Sequence, residues 1–70
     1  MRLGQLFLVF TNDQPILVTQ KNPHKQLYSG ALGNFKDKME ENYPNNNFLN
    51  YNVERCYIVD NVLKITIWED

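Results

Sequence analysis

Seventy residues with seven basic and eight acidic side chains leave room for one domain, spanning residues 1–70, and give no basic footprint of the kind nucleic-acid binders carry. The single cysteine, Cys56, and single histidine, His24, exclude a disulfide framework and a zinc site built from Cys and His. A chain this short buries only about 60% of its unfolded surface, so its core is small or is completed by self-association.

From the N-terminus, the apolar run Leu6–Phe10 is five residues long. That is too short for a signal-peptide core or a membrane span, and no small-residue cleavage site follows it. With no paired cysteines, the expectation is a soluble, cytoplasmic protein. Gln5–Phe10 is predicted as a strand and Thr11–Gln14 as a turn. Ile16–Thr19 is predicted as a second strand introduced by Pro15, which can begin a strand but not sit within a sheet. Pairing Val9 with Ile16, Leu8 with Leu17 and Phe7 with Val18 gives two apolar faces: Leu6, Leu8, Phe10 and Leu17 on one, and Phe7, Val9, Ile16 and Val18 on the other. One helix covers only one of them, so a two-fold homodimer is expected to cover the other.

Lys21–Gln26 is polar and contains Pro23, hence a loop. Tyr28, Leu32, Phe35, Met39 and Tyr43 follow at helical spacing, with Ser29 as the expected N-cap and a start nearer Asn34 as the alternative. Pro44 ends the helix at Tyr43. Gly30-Ala31-Leu32-Gly33 lacks the Gly-Lys-Ser/Thr of a phosphate loop, has no predicted strand before it, and reads as a loop-to-helix junction. Asn45–Asn52 is rich in asparagine and reads as an exposed connector pinned by Phe48 or Leu49, with a recognition loop as the alternative.

Val53–Trp68 is predicted as a β-hairpin. Asp60-Asn61 suits the two left-handed positions of a type I′ turn. Folding there sets Val59 against Val62, Tyr57 against Lys64, Arg55 against Thr66 and Val53 against Trp68. Cys56, Ile58, Leu63, Ile65 and Ile67 then share the core face, and Cys56 is expected to be a buried small hydrophobe. The predicted fold class is α+β, in the order β-β-α-β-β: a small four-stranded antiparallel sheet with one helix on one face. A small β-barrel with an inserted helix is the alternative.

No catalytic motif emerges. His24 has no carboxylate near it in sequence, and Cys56 faces the predicted core, so a thiol–imidazole dyad is not expected. Asp37, Glu40 and Glu41 read as a solvated helix face, or, with Glu69 and Asp70, as an acidic edge toward a basic partner. No cofactor, metal or membrane is implied. The most suggestive surface is the outer hairpin face, where Arg55, Tyr57, Lys64, Thr66 and Trp68 combine the residue types enriched at interface hot spots. These five are the candidate partner-binding residues. A short chain rich in Asn, Tyr and Phe resembles, in general character only, the small accessory proteins of phages and mobile elements, with no family motif matched. That resemblance implies a stoichiometric inhibitor or accessory protein acting on a host or defence protein. The expected function is a non-enzymatic protein-binding module. The alternative is a single-stranded nucleic-acid binder using the same aromatic and basic face.

Overall fold

In the computed structural model, which describes residues 1–69, the chain begins with a helix where a strand was expected. Helix α1 spans Leu3–Phe7. Leu3, Leu6, Phe7 and Phe10 follow the i, i+3, i+4, i+7 spacing of a helical stripe. Leu3 and Leu6 are buried, while Phe7 and Phe10 pack against the core. The Arg2 N–H donates to Gln5 Oε1 at 2.8 Å, half of a capping box that satisfies a donor the helix itself leaves open. Single-turn bonds continue the coil to Phe10, leaving Leu8 and Val9 on the solvent side. A contiguous apolar run carries no period of its own, which is why the strand reading of Gln5–Phe10 fails.

Strand β1 (Pro15–Gln20) is as expected in kind and place. It turns through Lys21–His24 into β2 (Lys25–Ala31), a strand that takes in Tyr28, Ser29 and Gly30 from the expected helical stripe. Ser29 is therefore not an N-cap. Tyr28 lies opposite Val18 on the core face, and its hydroxyl donates to the Ala31 carbonyl. Gly30 has φ +152, and a Cβ there would meet the Tyr28 hydroxyl at 3.0 Å, so glycine is needed at this position. The strand thus runs into the glycine segment and takes in Gly30 and Ala31, and a 3₁₀ turn over Leu32–Asn34 forms the junction to helix α2, Phe35–Asn42. Asp37 sits in its first turn, where a negative charge complements the helix dipole. The helix ends before Pro44, as the sequence indicates.

A second 3₁₀ turn, Phe48–Asn50, pins the asparagine-rich connector through buried Phe48. Strands β3 (Asn52–Val59) and β4 (Val62–Trp68) form the expected hairpin. Asp60 and Asn61 take φ of 53 and 66, both left-handed as a type I′ turn requires. Val59 faces Val62, Tyr57 faces Lys64 and Arg55 faces Thr66. The register then shifts. Glu54 is an extra residue, so Val53 lies opposite Ile67 rather than Trp68 and packs against the core instead of the outer face.

The sheet order is β2-β1-β4-β3, with β1 and β4 parallel at the centre and the hairpin pairings antiparallel. The class is α+β with four strands. The sheet is mixed rather than antiparallel, it is open rather than a barrel, and the order is α-β-β-α-β-β. Ile16, Val18, Leu63, Ile65 and Ile67 from the central strands meet Leu3, Leu6, Phe35, Met39 and Phe48 from the helical side. Phe35 stands edge-on to both Phe7 and Tyr28, with centroids at 5.2 and 5.3 Å. One helical layer therefore takes up Leu3, Leu6, Phe7 and Phe10, while Leu8 and Val9 stay exposed. The pair of apolar strand faces that motivated the homodimer does not exist.

Cys56 and Ile58 correct a second expectation. They share the helix side of the sheet with their partners Ile65 and Leu63, yet both are exposed. The helical layer covers β4 and reaches β3 only at its start, where Val53 packs against the core. Among the described residues, no helix is long and apolar enough to cross a membrane.

Candidate functional site

Because both helices lie on one side, the other face of the sheet is uncovered. Strand alternation puts Leu17 and Thr19 of β1, Lys64, Thr66 and Trp68 of β4, and Arg55 and Tyr57 of β3 on it. The pairings arrange them in rows across the strands. Ser29, Leu17, Lys64 and Tyr57 form one row, and Gln26, Thr19, Thr66 and Arg55 form the next. Four of the five candidate residues are therefore direct cross-strand partners. Trp68 lies further along β4, opposite Asn52 and 41% exposed.

At that end the face deepens into a cleft of about 340 Å³ lined by Lys21, Asn22, Glu54 and Trp68. Lys21 Nζ, just past β1, stands 3.0 Å from Glu54 Oε2 of β3, so the ion pair spans β4 and the indole borders it. Screening makes an exposed pair of this kind worth little stability. Sequence reasoning missed Lys21, Glu54, Leu17 and Thr19. The bulge at Glu54 and the parallel β1–β4 pairing bring them to the hairpin face, and no local pattern announces either.

A second hollow, of about 290 Å³, is lined by four asparagines of the connector (Asn45, Asn46, Asn47 and Asn50) together with Arg2, Tyr51 and Glu69. Arg2 Nη1 donates to the Asn50 carbonyl at 2.9 Å, tying the connector to the N-terminus. The Tyr51 phenol is held above its usual range by burial, then by its hydrogen bond to Glu69 and the carboxylate's charge. Burial alone raises Tyr28. Both groups are more easily ionised in the unfolded chain, so their contribution to stability is constant below the ordinary tyrosine pKa near pH 10 and declines above it. Denaturant midpoints are expected to fall progressively above about pH 10. Tyr28→Phe and Tyr51→Phe should each flatten that decline, and phenolate absorbance should lose its late-titrating part in the same variants.

The remaining chemistry is sparse. His24 lies in the β1–β2 turn and Cys56 on the far edge strand with β4 between, so the two form no dyad. Asp37, Glu40 and Glu41 are exposed on α2, Glu69 stands by Tyr51, and Asp70 lies outside the described residues. Among the described residues no three His, Cys, Asp or Glu side chains gather as a metal site would require. Comparison with protein-family models, with curated proteins and with solved structures finds no match to this chain.

Proposed function

We propose that this protein is a non-enzymatic binding module that docks a protein partner on the open face of the β3–β4 hairpin. A single observation carries the reading: Arg55, Tyr57, Lys64 and Thr66 form one contiguous block on a sheet face that no other part of the described chain covers. Trp68, beside the Lys21–Glu54 pair, marks its end. Aromatic rings and guanidinium groups supply large contact area with a polar tip, the composition found where interfaces concentrate their binding energy. The two cations favour an acidic partner surface. Binding of this kind needs no cofactor. An exposed, unpaired Cys56 is at home in the reducing cytoplasm, and action as a stoichiometric inhibitor or accessory protein on a host or defence protein fits a chain that is mostly scaffold for one face.

The test is affinity capture from cell extract with the wild-type chain and with Tyr57→Ala/Trp68→Ala. A stoichiometric protein partner should be retained by the first. Loss of one hot spot costs at least about 2 kcal/mol, so the double variant should bind at least about 30-fold more weakly while keeping its circular dichroism spectrum. An unchanged affinity in the variant would sink the proposal.

The same rings and cations could instead stack and neutralise a single-stranded nucleic acid. Anisotropy with labelled oligonucleotides separates the two readings. Binding that collapses with added salt and needs Tyr57 favours the nucleic acid.

A further inference from the structure

We infer that two copies of this chain associate edge to edge through β3, antiparallel about a two-fold axis at Tyr57, so that their sheets join into one. The inference goes beyond the binding-face reading and does not depend on it: Tyr57 and Arg55 belong to both, but the backbone pairing proposed here is made by the rim of the sheet.

The two rims of the sheet are built differently. Along β2 the ladder is broken by an extra residue at Leu27 and by Gly30 at φ +152, and the strand opens with charged Lys25. These are usual guards against edge pairing, and β3 carries its own only at the start of the strand, in the bulge at Glu54 and the charge of Arg55. Along β3 only the first two residues are covered. The Val53 N–H donates to the Met1 carbonyl at 2.8 Å, and Arg2 bridges Asn52. From Arg55 to Val59 no described strand lies along the rim. This stretch holds no proline or lysine, and Tyr57, Ile58 and Val59 are 49%, 56% and 40% exposed.

The hairpin turn sets the direction of the free backbone groups. A type I′ turn closes on a hydrogen bond from the Val62 N–H to the Val59 carbonyl. Val59, Tyr57 and Arg55 therefore point their main chain toward β4, while Ile58 and Cys56 point theirs outward. An antiparallel second copy must pair those outward residues with each other, which leaves few registers. An axis at Arg55 opposes two guanidinium groups. An axis at Cys56 runs into the bulge at Glu54, and one at Ile58 runs into the turn at Asp60.

An axis at Tyr57 uses the whole regular rim. Tyr57 then faces Tyr57 of the second copy, and Cys56 faces Ile58 twice on the helix side. Arg55 faces Val59, next to the oppositely charged Asp60. Within Arg55–Val59 the pairing is self-complementary, with Cys56 against Ile58 and Arg55 beside Asp60, which favours a second copy over an unrelated strand; the same register brings Glu54 toward Asp60, and Glu54 is already paired with Lys21. The pairing also gives cover to Cys56 and Ile58, whose side chains extend beyond the helical layer.

Sedimentation equilibrium under reducing conditions at high micromolar concentration should give twice the chain mass of 8.3 kDa. Ile58→Lys, a change at an exposed position, should return it to the monomer mass with an unchanged circular dichroism spectrum. A wild-type monomer, or a folded Ile58→Lys chain that still dimerises, overturns the inference. The register is read independently by oxidation. Tyr57→Cys in a Cys56→Ser background should form an intermolecular disulfide rapidly, because directly opposed strand residues lie within disulfide reach. Native Cys56 lies diagonal to its copy at roughly 7–8 Å and should cross-link poorly. Rapid cross-linking of wild-type Cys56 with none at position 57 overturns the Tyr57 axis.

Discussion

Replacing Phe35 with alanine is expected to unfold the protein. The ring is 2% exposed and stands at the meeting point of α1, α2 and β2, edge-on to Phe7 and Tyr28. Removing a buried phenyl group costs about 3–5 kcal/mol, because the lost transfer energy is joined by the cost of the cavity. Stability of the order of 0.05–0.15 kcal/mol per residue gives a chain of this size roughly 3.5–10 kcal/mol in all. The substitution therefore removes a large share of what holds the fold, and the described residues form one core cluster with no second to compensate. Urea titration followed by near-ultraviolet circular dichroism should show the midpoint falling to low denaturant or the native signal lost outright. Phe35→Leu, which keeps most of the volume, should retain the fold with a smaller loss. A Phe35→Ala midpoint close to wild type would mean that this ring is not the keystone its position implies.

A contrast between Leu6 and Leu8 is expected to be nearly as large. In a strand the two side chains would share a face and matter equally. In the helix Leu6 is 5% exposed and Leu8 84% exposed. Leu6→Ala should cost about 2–5 kcal/mol. Leu8→Ala should stay within about 0.5 kcal/mol of wild type, as substitutions on an open surface usually do. Equal losses from the two variants, measured by the same urea titration, would contradict the helix.

The two ends of the chain differ in how much of this was legible. The C-terminal hairpin could be read because Asp60-Asn61 fixes a turn type, the turn type fixes the register, and the register sorts the faces. That logic held as far as Arg55 and Thr66, and it brought Arg55, Tyr57, Lys64 and Thr66 together correctly. It broke at Glu54, where a bulge leaves no mark in the residue pattern. At the N-terminus the information was present in Leu3, Leu6, Phe7 and Phe10, but Leu8 and Val9 fill the gaps and disguise the helical period as a continuous run. Tyr28 matched the helical stripe by spacing alone, and tertiary pairing with β1 overrode it. Cys56 shows a different limit. Its face was assigned correctly, but whether a layer covers that face depends on how far the helices extend across the sheet.

The parallel seam between β1 and β4 also has a kinetic consequence. Each hairpin closes locally, on the microsecond scale typical of short antiparallel ribbons. The seam joins residues from opposite ends of the chain, as the 3.0 Å bond from Gln14 Nε2 to the Asn61 carbonyl, 47 positions apart, shows. Loop-closure entropy must be met before any of its contacts form, so folding is expected to be slow for so short a chain. Substitutions within Ile16–Val18 and Leu63–Ile65 should slow folding, whereas changes at the Asp60-Asn61 turn should act mainly on the early ribbon. The docking of two preformed hairpins, rather than the making of either, is expected to set the time in which the native sheet appears, which stopped-flow folding of the seam and turn variants would read.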